Sequence, residues 1–68
     1  MSVVKVIELI AKSEVSWENA VKDAVKEASK SVRNITSVYV KDFHCSVENG
    51  QVKGYKATVK LSFLVEDE

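Results

Sequence analysis

Two residues of this chain can bind a soft metal or pair as a nucleophile with its base: the single histidine, His44, and the single cysteine, Cys45. They are sequence neighbours inside a strand-like segment. Neighbouring side chains of a strand point to opposite faces, so this pair cannot ligate one ion or form a thiol–imidazole dyad within one chain. Only symmetry-related copies could complete such a metal site. We therefore expect structural roles for both residues and no enzymatic activity.

Carboxylates are the second group of candidate ligands. Their spacing contains no calcium-loop pattern, so the sequence does not predict a cation site within one chain. Around a symmetry axis of an oligomer, however, the copies of a single carboxylate form a ring. We otherwise expect solvated side chains and a frayed acidic tail. The acids considered are Glu8, Glu14, Asp42, Glu48, Glu66, Asp67 and Glu68.

Aromatic side chains can stack on a planar ligand. Trp17 is the only tryptophan, and its place at the start of the predicted helix, on the apolar stripe, predicts a packing role. For Tyr39 and Phe43 we expect core or interface positions, with stacking on a ligand as the alternative.

Length and charge exclude several classes of protein. The chain has 68 residues and a formal net charge of zero, with ten Lys and Arg against ten Asp and Glu. A balanced charge attracts neither nucleic acid nor an anionic membrane, so neither is an expected partner. The N-terminal apolar run is too short to cross a bilayer, and a lone cysteine fits a reducing compartment. We expect residues 1–68 to form one cytoplasmic domain.

A domain of this size has little core of its own. It buries only about 60% of the surface that its unfolded chain exposes. With one cysteine it cannot form an internal disulfide. Oligomerisation is therefore the expected source of the missing stability.

The elements that position these residues begin with a strand and a helix. Alternating apolar residues from Val3 to Ile10 predict the strand. Apolar residues then recur at helical spacing as far as Val32, with Ser16 as the expected N-cap and Asn34 as the expected stop.

Two strands are predicted after the helix, from Ile35 to about Glu48 and from Gln51 to about Val65. Asn49-Gly50 between them is typical of a two-residue type I′ turn. The last strand alternates cleanly, so we expect its apolar face to pack on the helix. That face comprises Tyr55, Ala57, Val59, Leu61, Phe63 and Val65.

The strand before this turn changes phase. Val38 and Val40 lie on one parity, whereas Phe43 and Cys45 lie on the other. Such a change indicates either a bulge near Lys41-Asp42 or burial of both faces by neighbouring subunits.

Four short blocks cover nearly the whole chain. They are Lys5-Val6-Ile7-Glu8-Leu9-Ile10, Ser13-x-x-Ser16-Trp17-Glu18-Asn19-Ala20, Ser31-Val32-Arg33-Asn34-Ile35 and Tyr55-Lys56-x-x-Val59-Lys60-Leu61-Ser62-Phe63. As a set, they resemble the dodecin family. The resemblance implies an α+β fold of order β-α-β-β, in which a three-stranded antiparallel sheet wraps around one helix. It also implies a hollow homododecamer that stores or sequesters flavins, such as riboflavin or FMN, stacked in pairs between subunits.

The same resemblance implies a ligand site on the second and third strands. Flavin-binding dodecins carry a stacking tryptophan just after the helix and a glutamine after the aromatic residue of the last strand. This chain has Ser37 and Lys56 at those positions. Tyr39 and Asp42 are further candidate ligand-binding residues. Aromatic stacking contributes about 0.5–1.5 kcal/mol beyond area burial, so we expect flavin to bind weakly or to be replaced by another ligand.

Two classes of function follow. The first is an oligomeric, non-enzymatic protein that binds and sequesters a flavin or another planar or phosphorylated metabolite. The alternative is a structural or cation-binding assembly of the same type, without flavin.

Overall fold

The computed structural model describes residues 3–65, and within them one helix lies on one three-stranded antiparallel sheet. The elements are β1 (Val3–Ser13), α1 (Trp17–Ala28), β2 (Ile35–Glu48) and β3 (Gln51–Val65). The order across the sheet is β1-β3-β2, so the last strand is central. This confirms the predicted β-α-β-β fold. The predicted acidic tail, residues 66–68, lies outside the described residues.

The face of the sheet that the helix covers, hereafter the inner face, carries the core. Ala57, Val59 and Leu61 of β3 are 0% exposed, as is Ala20 of α1, and Ala11 of β1 is 4% exposed. Alanines let a helix approach a sheet closely because their side chains occupy little space. The odd-numbered face of β3 therefore packs under the helix, as predicted.

The helix begins where the sequence predicts. Ser16 is the N-cap, and its Oγ accepts a hydrogen bond from the backbone N–H of Asn19 at 2.9 Å. Ser13 at the end of β1 adds a second anchor, because its hydroxyl donates to Asn19 Oδ1 at 2.8 Å. These bonds satisfy polar groups in the strand-to-helix connection and fix the angle between the two elements.

The helix ends at Ala28, four residues before Val32, so the predicted end was wrong. Ser29 Oγ donates to the carbonyl of Val25 at 2.7 Å. The N–H groups of the next two residues then bond to carbonyls three residues back, at 3.1 Å each. Such tighter bonds and serine back-bonding end regular α geometry, although the apolar spacing continues to Val32.

The predicted hairpin turn is confirmed, whereas Asn34 is not the stop of the helix. Asn34 has φ 64° and lies directly before β2, six residues after the helix ends. Asn49 and Gly50 have φ 52° and 74° in the hairpin turn. Two consecutive positive φ values are the signature of a type I′ turn.

β2 contains the predicted bulge. Val40 pairs with Val59 and Asp42 pairs with Thr58, which leaves Lys41 as an extra residue. The shift keeps Val40 and Phe43 on the inner face although their numbers differ in parity. The bulge therefore explains the phase change in the sequence without burial of both faces.

A single subunit leaves much apolar surface uncovered. β1 extends three residues beyond its predicted end but stops at Ser13, opposite Tyr55, so the tip of the β2–β3 hairpin projects beyond it. The resulting molecule measures 53 × 20 × 13 Å. No helix among the described residues is long and apolar enough to span a bilayer. The exposed large apolar side chains are those of Val3, Val4, Val6, Ile10, Val15, Trp17, Tyr39, Phe43, Val47, Val52, Leu64 and Val65.

Candidate ligand-binding site

The opposite face of the sheet, hereafter the outer face, carries all four residues that the sequence predicted as ligand-binding. Ser37, Tyr39 and Asp42 of β2 each lie opposite an even-numbered residue of β3. Directly opposed residues of an antiparallel pair share a face, and even-numbered residues of β3 alternate with the buried ones. Lys56 belongs to the same even-numbered set. The fold therefore places all four on one face that the helix does not cover.

Ser37 and Lys56 nevertheless lie far apart within one subunit. Ser37 is opposite Ser62, six residues along β3 from Lys56, which corresponds to roughly 20 Å at the rise of an antiparallel strand. A single planar ligand cannot contact both positions of the same chain. A site that uses both therefore requires residues from two subunits.

One row across the outer face contains a carboxylate beside its lysines. Lys60 at its centre lies between Glu8 of β1 and Tyr39 of β2. The bulge residue Lys41 also reaches this row, with its Nζ 3.9 Å from Glu8 Oε2. Tyr39 is 63% exposed beside these charges. The carboxylate of Glu8 offsets part of the positive charge of Lys60 and Lys41.

A second row, hereafter the basic row, contains no carboxylate. Lys56 at its centre lies opposite Lys12 on one side and His44 on the other. Lys56 is half-buried, whereas the flanking residues are exposed. No local pattern in the sequence places Lys12 or His44 beside the four candidate residues. Their juxtaposition depends on the register of all three strands.

An open notch of about 480 Å³ lies at the end of the basic row. It forms where β1 stops and the β2–β3 hairpin continues alone. Both charged and hydroxyl side chains line it. The lining residues are Lys12, Ser13, Glu14, Ser46, Glu48, Lys53, Gly54, Tyr55 and Lys56.

The remaining candidates lie elsewhere or on opposite faces. Trp17 packs edge-on against Phe43 and Tyr55 at centroid distances of 5.5 and 5.2 Å. Its Nε1 donates to the carbonyl of His44 at 3.1 Å, which ties the helix to β2. Cys45 pairs with Tyr55 on the inner face, opposite to the His44 side chain. Among residues 3–65 no group of three or more His, Cys, Asp and Glu could hold a metal ion.

Comparison with known proteins identifies the family. The family model described as Dodecin matches residues 3–66. The chain belongs to the dodecin family. A curated relative named calcium dodecin, from Mycobacterium tuberculosis, is 36% identical over 63 residues, which cover 93% of this chain and 89% of the relative.

Solved dodecin structures share the whole fold. The dodecin of Streptomyces coelicolor superposes with a TM-score of 0.94 at 28% identity, covering 98% of this chain and 96% of that one. A mutant of the T. thermophilus dodecin gives 0.94 at 28% identity over 100% of both chains. The calcium dodecin of Mycobacterium tuberculosis, described as having a novel calcium-binding site, gives 0.84 at 34% identity over 98% and 96%.

Proposed function

We propose that this dodecin is a non-enzymatic, homo-oligomeric protein of the cytoplasm that sequesters a small molecule on the outer face of its sheet, between subunits. The observation that carries this proposal is the position of Ser37 and Lys56. They share the uncovered face but lie roughly 20 Å apart in one chain. A ligand that meets both positions therefore bridges two subunits.

Self-assembly is supported by the small core of the subunit. Among residues 3–65 the buried apolar residues are three alanines, Val59 and Leu61. Twelve larger apolar side chains of the same residues are exposed on the isolated subunit, and association would cover them. By family resemblance the assembly is a dodecamer. Light scattering should give twelve times the 7.6 kDa subunit mass, and a mass near one subunit would contradict the proposal.

The ligand that we propose is a planar or phosphorylated metabolite, with flavin bound weakly. Ser37 offers no ring for stacking, and Lys56 places a positive charge where the family has a neutral amide. Tyr39 is the one exposed aromatic residue of the described outer face that could replace the missing platform.

Spectroscopy tests this ligand assignment directly. We expect the freshly purified protein to be colourless and to quench the fluorescence of added riboflavin only weakly. A yellow preparation, or tight quenching by the unmodified protein, would show that another residue already supplies the stacking surface. The variant Tyr39→Leu distinguishes the cases, since it abolishes quenching only if Tyr39 is that residue.

The second candidate function is a cation-binding assembly of the same type. It is favoured by the 36% identical relative that is named calcium dodecin. In this chain Glu8 and Asp42 supply carboxylates on the outer face, and such groups can form rings across symmetry axes. Calorimetric titration with Ca²⁺ tests it. Binding that is lost in Glu8→Gln or Asp42→Asn would favour this alternative.

A further inference from the structure

The basic row places two lysines side by side, and neither belongs to an ion pair among the described residues. Lys12 and Lys56 are directly opposed across β1 and β3, an arrangement that destabilises a sheet unless an anion lies nearby. The ion pairs among residues 3–65 are Glu18–Lys22, Glu27–Lys30 and Glu8–Lys41, and none includes these two lysines. The nearest carboxylate of the outer face, on Asp42, lies one row away, opposite Thr58.

The chemistry of the row suits a phosphate group better than a metal or a neutral ring. Two ammonium groups and the His44 imidazole supply hydrogen-bond donors at directly opposed positions of three adjacent strands. Strand spacing is about 4.8 Å, so one tetrahedral anion can contact neighbouring strands at once.

The notch adds further groups at the same place. Ser46 contributes a hydroxyl group, and Lys53 contributes a third ammonium group. Glu14 and Glu48 also line the notch, so its three lysines exceed its carboxylates by one. The notch therefore has one net positive charge, and no carboxylate lies directly opposite Lys12 or Lys56 in the sheet.

We propose that Lys12, Lys56 and His44 form a binding site for the phosphate group of a phosphorylated metabolite. This proposal rests on the proposed sequestration function for its biological meaning and extends it, because it names the ligand class. It also explains why a lysine is suitable at position 56. The family's glutamine makes a neutral contact to the flavin ring, whereas the lysine would make a charged contact to phosphate.

Calorimetric titration of the assembled protein with pyrophosphate tests the site without any ring in the ligand. Lys56→Gln should weaken binding about tenfold, since it removes one charge-assisted contact. Lys60→Gln is the matched control. It lies on the same strand and face, is also half-buried, and has Glu8 directly opposite, so its loss should change affinity less than about twofold.

The assembly of each variant must be checked, because a loss of binding is informative only in an assembled protein. Light scattering must show the parent mass for each variant, and Lys12→Gln replaces Lys56→Gln if the latter fails to assemble. Absence of pyrophosphate binding, or equal weakening by Lys60→Gln, would overturn the proposal.

A comparison of FMN with riboflavin identifies the source of the phosphate. Preference for FMN over riboflavin, lost in Lys56→Gln, would show that the phosphate belongs to a flavin. Pyrophosphate binding without either flavin would keep this site while contradicting a flavin ligand.

Discussion

The two faces of the sheet differ in burial and polarity, although both contain residues of β3. On the inner face, Ala57, Val59 and Leu61 are fully buried under the helix. On the outer face, Lys56 and Lys60 alternate with them and remain half-buried and polar. The helix covers the centre of the inner face, although Phe43 at its side remains 59% exposed, whereas the outer face has no helix over it. Substitutions on the inner face should therefore affect folding and those on the outer face should affect binding, although the two sets alternate along β3.

A buried charge on the inner face should lower the stability of the subunit more than any other change considered. Leu61→Asp places a carboxylate where the side chain is 0% exposed and no cation lies opposite. We expect a cost of several kcal/mol, which a subunit with so small a core cannot absorb. Circular dichroism should show loss of the folded state. The adjacent variant Ser62→Asp, on the outer face, should keep the helical signal. A folded Leu61→Asp protein would disprove the assignment of the two faces.

Restoring the two flavin-contacting residues of the family on the outer face should raise the affinity for flavin without changing the stability of the fold. The double variant Ser37→Trp with Lys56→Gln adds a stacking ring and a neutral hydrogen-bonding edge. We expect riboflavin to bind roughly tenfold more tightly than to the parent, measured by fluorescence quenching. Thermal unfolding should change little. Unchanged quenching would mean that other residues separate this chain from flavin-binding dodecins.

The position of the helix over the inner face depends on its N-cap. Ser16→Ala removes the acceptor for the Asn19 N–H and should lower the free energy of unfolding by about 1 kcal/mol. Urea unfolding at a fixed subunit concentration measures this. Ser29→Ala at the other helix end is the control, since its exposed hydroxyl only bonds back to Val25. Equal losses from both variants would contradict a specific role of the cap.

Loss of the exposed ion pair at the end of the helix should have the smallest effect, a change in the pKa of one carboxyl group. Lys30 Nζ lies 2.9 Å from Glu27 Oε2, and this hydrogen bond, with the charge of Lys30, holds the pKa of Glu27 below its ordinary value. Because the folded-state pKa is lowered, any stabilisation is present above the unfolded-state value and is lost as pH falls through the folded-state pKa. An NMR titration should show the pKa of Glu27 rising in Lys30→Gln and unchanged in Lys22→Gln.

Local signals in the sequence were sufficient for most of the fold. Ser16 predicts the helix start because its hydroxyl can satisfy a free N–H. Asn49-Gly50 predicts the hairpin because both residues tolerate positive φ. The helix end was wrong because apolar spacing to Val32 outweighed the signal of Ser29, whose hydroxyl competes for the helix carbonyl.

The composition of the outer face was only partly predictable. The resemblance to dodecins nominated Ser37, Tyr39, Asp42 and Lys56, and the structure places all of them on the outer face. It did not indicate Lys12 or His44. Their approach to Lys56 joins positions from three strands, and no spacing within one segment of sequence encodes that contact.

The sequence by itself determined the order of elements, the helix start and the turn, because each depends on neighbouring residues. Only the tertiary structure decided which residues face each other. Counting back from the turn pairs Glu48 with Gln51 and would place His44 opposite Tyr55. An irregularity between Ser46 and Val47 shifts the pairing by one residue and brings His44 opposite Lys56. A one-residue slip moves every following side chain to the other face, so the chemistry of the outer face depends on bulges that packing of the sheet selects.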